Sequence, residues 1–580
     1  MFGKDNNKDF TDDWKQYLQG QEYKSKIGLY QTVDKNERFY SGDQWNGVNS
    51  NGLPTPVINV IKRIMQYKIS TIMSSNVKIN YDAEGLHDDE SDEQKMQIKD
   101  TMMMFSDYAD EQWEKLKMNS SNEKILLDAG LSGDGLTYYY FDADKRIGQE
   151  DVTGDIAKEE IDNVNYFPSD TSDWRVQSQE SIIIAFRKPL SKVMKEAKNN
   201  GISKVDIDNI SADDTGDKQA GDLAKQGLTE NKMVTVLLKM WKDSNGFINY
   251  RKSVKHVIIK KDTLTNQKRY PLAKMTWDFR KNSCHGESEV KSAINNQIAI
   301  NKVASMIQIY IMLMSFPKII YDNTLIDSVS NQIGGAIGIN GSNGNVNGAI
   351  NYLNPPSANF DAFRYLELLI NLTKSMHGAS DGALGEIKAD NTSAIIQIRE
   401  ASAVPLESVK RRFYQYVEDI GLIWIDMWLS DYYASPRNFI INKNDKKISH
   451  NYSSEGLRDI IPCVKIDVGA SNQWSEIANV QTLDNLLDRQ LIDFKQYLDR
   501  LPKGYLAKKQ ELIEEINMQE EQQEEKYEGM AQFMESMPVE IQEMIQRLPQ
   551  EEQEPMIQSM MQMPPSQLEE HIAQLIMQQQ

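Results

Sequence analysis

Cys284 and His285 are adjacent, and a thiol beside an imidazole is raw material for a nucleophile or a metal ligand. The other cysteine is Cys463, far away in sequence. Neither a disulfide framework nor a CxxC zinc site can be assembled from these two, and a reducing compartment fits them. The pair reads as a small residue and a polar one in a loop. Six histidines in 580 residues leave little material for acid–base or metal chemistry. No GxxxxGK[ST] phosphate loop, HExxH helix or GxSxG turn occurs. The tract Gly334-Gly335-Ala336-Ile337-Gly338-Ile339-Asn340-Gly341 imitates a dinucleotide fingerprint, but it follows a helical run and a proline, not a strand that opens a helix. With several Asn in and beside it, it reads as a hairpin or loop. Carboxylates abound, yet no spacing selects a catalytic pair, so they read as solvated faces. The expectation is a non-enzymatic chain with no catalytic residues, no cofactor and no metal.

Charge narrows the classes further. The formal net charge is −20. From Glu511 to Gln580 there are sixteen acids against Lys526 and Arg547, a net of −14, which leaves −6 for everything before. An acidic chain is no duplex clamp, because counterion-releasing phosphate contacts need Lys and Arg. For a conduit that DNA slides through, the same sign is an advantage, since a wall that repels phosphate does not hold it. Composition is that of an ordinary globular protein, and the length allows two or more domains. The start, Met1-Phe2-Gly3-Lys4-Asp5, turns polar at once, and the apolar run from Val303 to Phe316 is shorter than the ~20 residues a bilayer span needs and contains Gln308. A soluble protein made inside the cell, with no membrane partner, is expected.

The elements that would position any site are organised around Gly286 to Tyr433. Gly286-Glu287-Ser288-Glu289-Val290 opens a run to Phe316-Pro317 free of Gly and Pro, with two acids in its first turn, as a helix N-terminus favours. Its second half is apolar nearly all round and must be covered on every side. A glycine-rich loop follows, then a helix from about Phe360 to Met376, a polar loop from His377 to Asn391 and a long helix from about Thr392 to Tyr433. In that last helix Val409, Phe413, Val417, Ile420, Trp424 and Met427 form one stripe. Pro405 cannot donate to the Ala401 carbonyl, which predicts a bend. The cluster Lys410-Arg411-Arg412 just past it reads as pairing with acids of a neighbouring subunit in preference to DNA.

These residues carry a resemblance. Gly286-Glu287-Ser288-Glu289, then Gln297, Asn301 and Ser305, then Phe316-Pro317-Lys318, resemble the first stem helix of tailed-bacteriophage portal proteins. Thr392-Ser393-Ala394-Ile395-Ile396 and the helix containing Pro405 resemble their tunnel loop and tunnel helix. Phe39-Tyr40-Ser41-Gly42-Asp43-Gln44-Trp45, Pro54, Pro56 and Asn59 are similar to the family's N-terminal signature. Each motif is short, and their order and spacing over about residues 30 to 500 carry the likeness.

The resemblance implies an α+β portal-like fold assembling into a ring. Its regions would be an N-terminal wing (1–285), first stem helix (286–316), clip (317–359), second stem helix (360–376), tunnel loop (377–391), tunnel helix (392–433), strands returning to the wing (434–470), crown helices (471–516) and an acidic Gln/Met-rich arm (517–580). Short helices with Met faces and disorder until assembly are both open for the arm. Met306, Ile309, Ile311 and Leu313 would face neighbouring subunits. Gly378, Asp381, Gly382, Ala383, Glu386, Lys388 and Asp390 would form a loop near the channel axis that repels phosphate, with Lys388 its one plausible contact. The family implies a dodecamer at one capsid vertex of the virion, assembled in host cytoplasm. Its partners would be the major capsid protein, the terminase large subunit, a head-completion or tail adaptor, and double-stranded DNA held without sequence preference. Two other classes stay open, a metal-dependent nucleic-acid enzyme and a helical virion scaffold or adaptor.

Overall fold

A helical pattern from Phe10 to Tyr40 divides at Gly28 into α1 (Asp12–Lys26) and α2 (Leu29–Ser41). The Thr11 hydroxyl caps α1 by accepting from the Trp14 N–H, with Asp12 and Asp13 in the first turn. The architecture comes from a computed structural model that describes residues 10–74, 77–84, 92–146, 153–213, 232–315, 318–327, 340, 350–353, 360–379, 404–433, 437–443, 446–452, 461–468, 473–501, 506, 509–546, 550–564, 567, 568 and 572. It is a mixed α and β protein whose described chain falls into two units, Met1–Ser471 and Asn472–Gln580.

In the first unit α3 (Val60–Met73) is followed by β1 (Val77–Glu84), α4 (Asp92–Lys115) and α5 (Met118–Ser132). Strands β2 (Asp134–Arg146) and β3 (Thr153–Asp162) come next, then β4 (Tyr166–Pro168), β5 (Ser181–Pro189), α6 (Leu190–Asn199), α7 (Lys204–Asp208), β6 (Met233–Lys242), β7 (Ile248–Ser253), β8 (Ile258–Leu264) and β9 (Leu272–Thr276). They build a three-stranded sheet in the order β3-β2-β9 and a five-stranded sheet in the order β4-β5-β6-β7-β8, antiparallel throughout.

A long helix, α8 (Glu289–Ser315), then a two-stranded ladder of β10 (Lys318–Tyr321) and β11 (Ile350–Leu353), then α9 (Phe360–Met376) make a helical hairpin. The chain continues as α10 (Glu407–Trp428). The stripe read from sequence is its buried face, and Trp428 stacks on Phe105 of α4 at 5.6 Å between ring centroids. This helix is the spine of the main core, packed against β9, the strand Ile461–Val468, β1 and α3, with Trp424 on Tyr139 of β2. Val404-Pro405-Leu406 form a 3₁₀ turn directly before α10, so regular α-helical bonding is interrupted at the proline, which has no N–H to donate. Residues 392–403 lie outside the described residues.

The unit closes with β12 (Arg437–Lys443), β13 (Lys446–Tyr452) and β14 (Ile461–Val468). Strands from this region were expected to return to the wing sheet. The structure corrects this in part: β12 pairs locally with β13, and β14 returns to β1 in a ladder running from Val77↔Val468 to Glu84↔Ile461, separate from the five-stranded sheet. Gly421 of α10 lets that ladder approach closely, since an added Cβ would stand 2.9 Å from Ile79 Cγ2.

The second unit holds α11 (Gln473–Asp488), α12 (Phe494–Arg500), α13 (Lys509–Glu535), α14 (Val539–Gln546) and α15 (Gln550–Met561). Met537, Ile541, Ile545 and Met560 are buried together, with Phe533, Met534, Met556 and Ile557 packed on them. Met534, Met537, Met556 and Met560 thus converge on one small core, a packing role their flexible, polarizable side chains fill well, while Met518 and Met561 are exposed.

Candidate functional site

The hairpin is rooted in two carboxylates, Asp134, which is buried, and Glu289, which is partly buried. Asp134, at the start of β2, is enclosed by Lys274 (3.3 Å), His285 Nδ1 (3.2 Å), the Thr276 hydroxyl (3.0 Å) and the Gly286 N–H (3.0 Å). Despite burial, which alone would raise it, these neighbours hold its carboxyl down at about 2. Gly286 lies against Gly133, where a Cβ would meet the Gly286 carbonyl oxygen at 2.4 Å, so α5 and the entry to α8 touch backbone to backbone. Glu289, in the first turn of α8, accepts from Lys68 Nζ (2.6 Å) and Trp277 Nε1 (2.9 Å), and its Oε1 lies 2.5 Å from His377 Nδ1. Burial opposes ionisation there too, but His377 and Lys68 outweigh it and hold Glu289 at about 2. One carboxylate therefore ties α3, the end of β9 and the C-terminal end of α9 to the base of α8.

Above the root, the residues that carried the resemblance meet. Gln297, Asn301 and Ser305 recur every fourth residue, one face of α8, and all three are buried. Gln297 Oε1 accepts from the Val60 N–H (3.0 Å) and its Nε2 donates to the Ile58 carbonyl (2.6 Å). Asn301 Nδ2 donates to Gln44 Oε1 (2.6 Å), and the Ser305 hydroxyl donates to the Pro54 carbonyl (2.7 Å). Gln44 Nε2 in turn donates to the Phe39 carbonyl, Trp45 Nε1 to that of Pro56, and Asn59 Nδ2 to that of Tyr40. The N-terminal signature and the helix motif are two halves of one hydrogen-bonded seam that satisfies the irregular backbone between α2 and α3.

Beyond Ser305 the hairpin emerges from its own chain. Met306 is 65% exposed, Ile311 is exposed and Ile309 is half-buried, while the Leu313 side chain lies outside the described residues. On α9 the inner residues Leu366, Leu369 and Ile370 pack on Val60, Ile64 and Ile300. The opposite side carries Tyr365, Leu368 (60% exposed), Leu372 and Met376 (69% exposed), spaced by three and four residues as one stripe. The expectation that this end of α8 is covered on every side is not met within one chain. The exposed row on α9 escaped sequence reading because a helix apolar on two faces gives no clear period.

Of the loop residues singled out, Gly378 is described, with a left-handed backbone at φ 71°. Asp381, Gly382, Ala383, Glu386, Lys388 and Asp390 lie outside the described residues. Arg412, expected to pair with a neighbouring subunit, instead lies within its own chain, donating to the Trp277 carbonyl (2.5 Å) and 3.7 Å from Asp278. Cys284 is buried, and burial pushes its thiol up to about 11, which leaves it protonated at neutral pH. Burial also pushes His285 down to about 4. Lys24 of α1 is buried beside them, donating to the carbonyls of Asn163 (2.8 Å), Val164 (3.0 Å) and Tyr166 (2.5 Å). Among the described residues no group of His, Cys, Asp and Glu could hold a metal ion, and no helix is long and apolar enough to cross a membrane.

No protein-family model matches the chain, and no curated protein matches it at a significant level.

Proposed function

We propose that the chain is the subunit of a portal-type ring, a non-enzymatic conduit for double-stranded DNA at one vertex of a viral capsid. The observation that carries this reading is the hairpin: α8 and α9, pinned at the base by Glu289 and clamped by the Gln297–Asn301–Ser305 seam, present exposed apolar side chains on their far side. Fully covering one such side chain stabilises by about 1.5–3 kcal/mol, and a row of them on a rigid hairpin suits a neighbouring copy of the same element. Contacts that repeat head to tail around an axis close into a ring. In this reading α8 and α9 are the stem, β10 and β11 belong to the clip that meets terminase and adaptor, the segment after Met376 leads to the channel, and the net acidity lets DNA slide. Negative-stain imaging of the purified full chain tests it. Rings with an axial channel, twelve-fold by the family resemblance, are the expected outcome, and a monomer at every concentration overturns the reading.

A further inference from the structure

A second surface, away from the hairpin, has the features of a subunit contact. Trp174 and Phe279 are 47% and 44% exposed and lie side by side, ring centroids 4.7 Å apart. Two exposed aromatics in contact are an uncommon use of surface unless something covers them. Arg412 supports Phe279 from beneath at 5.3 Å. Arg280 and Lys281 follow Phe279, are exposed, and make no ion pair among the described residues.

The presentation is rigid. Asp173 accepts from Arg175 Nη2 (2.9 Å) and the Ser178 hydroxyl (2.5 Å), Asp170 accepts from the Ser172 hydroxyl (2.6 Å), and Gln179 Nε2 donates to the carbonyls of Asp170 and Asp173. The Cys284 N–H donates to the Thr171 carbonyl (2.8 Å), which ties this loop to the segment carrying Phe279. A tryptophan held in place loses little freedom on being covered, and Trp and Arg are the residues that dominate contact energies.

The complement lies on the same chain. A cavity of about 320 Å³ is lined by Glu37, Asp128, Glu159, Glu160 and Asp162, against Lys124 and Arg187. Arg187 is already engaged by Asp213. Glu160 is paired with Lys158 (3.0 Å) and Lys124 (3.6 Å), whereas burial and neighbouring carboxylates push Glu37 up to about 7 and Asp128 up to about 6. Glu159 to Asp162 end β3 and Phe279 to Lys281 follow the end of β9; both strand ends lie beside Asp134 and Gly135 of β2, one on each side of that strand. Two flanking surfaces of opposite charge can each meet its complement on a different copy.

We infer that the Trp174–Phe279 patch with Arg280 and Lys281 docks on the acidic cavity beside β3 of a second copy of this chain. The inference rests on the ring reading only in requiring that copies associate. The test uses full-length protein, sedimentation velocity and imaging, with thermal melts to verify folding. Arg280→Glu/Lys281→Glu and Glu37→Lys/Glu159→Lys are each expected to weaken association at least about tenfold, as is the uncharged change Trp174→Ala. All four charge reversals in one chain are expected to restore association, which a purely structural role for these residues would not produce. Rings from the wild type together with unchanged rings from Arg280→Glu/Lys281→Glu overturn this inference and leave the ring reading standing. Failure of the fourfold variant to recover also overturns it, and a monomeric wild type overturns both.

Discussion

Gly378 and Pro405 are in direct contact: a Cβ built on the glycine would stand 3.1 Å from the proline Cβ. The chain that leaves α9 and the chain that enters α10 therefore meet at one point. Gly378 also has φ 71°, a conformation that L side chains adopt at a cost. Gly378→Ala meets both penalties and is expected to lower stability by about 1–2 kcal/mol. Urea unfolding measures this, and an unchanged midpoint would show that the loop root yields freely.

Glu289 supplies a sharper case. Removing its carboxylate leaves Lys68, nearly buried, without its partner, and breaking such a pair costs about 3–5 kcal/mol. Glu289→Gln is expected to lose stability at pH 7 on that scale. The folded carboxyl sits at about 2 against the ordinary 4.5, so the unfolded chain takes up its proton first as pH falls. The stabilisation is complete above about pH 5 and is lost between there and about pH 2. Stability curves of wild type and Glu289→Gln should therefore converge in acid. Curves parallel down to pH 2 would mean that the ion pair contributes nothing.

The acidic cavity has the opposite sign. Glu37, held at about 7 by burial first and then by Asp162, Asp128 and Asp34, keeps its proton to higher pH when folded than when unfolded. Its ionisation lowers stability as pH rises from about 4.5 to about 7. Solvent screens part of this, so Glu37→Gln is expected to raise stability by about 1 kcal/mol at pH 8 and by nothing at pH 4. Thermal melts at the two pH values decide it. Equal shifts at both would trace the gain to something other than charge.

How much of this was legible in the sequence depended on whether a signal was local. The α10 stripe from Val409 to Met427 was readable because its period is helical and its whole face is buried. The strand β1 was missed although Ile79 and Tyr81 alternate into the core, because its pairing partner β14 lies almost four hundred residues on. Gln297, Asn301 and Ser305 were visible as a spaced set, but their purpose was not. Only the fold shows that they bond the backbone around Pro54 to Val60. Pro405 was legible as an interruption of the helical run, because a residue without an N–H cannot continue the α-helical ladder. Cavity charge, as at Asp128 beside Asp162, arises from tertiary proximity that no sequence spacing encodes.

Adjacent leucines on α9 give the most direct test of the hairpin surface. Leu368 is 60% exposed, on the outer stripe, whereas Leu369 packs against the cluster of Val60, Ile64 and Ile300. A single residue step turns a helical side chain by about 100°, so the same chemistry can be placed on two faces without changing composition. Leu369→Asp puts an unpaired charge into the fold of the monomer and is expected to destabilise it by several kcal/mol, read in a thermal melt. Leu368→Asp stays in water in the monomer, so its melting should shift by no more than about 0.5 kcal/mol in stability. In an assembly that covers the stripe, however, the aspartate would be buried without a partner, and rings should be lost. Loss of rings with an unshifted monomer melt is the expected pattern for Leu368→Asp. Intact rings would place the subunit contact on another face, even if the chain still assembles.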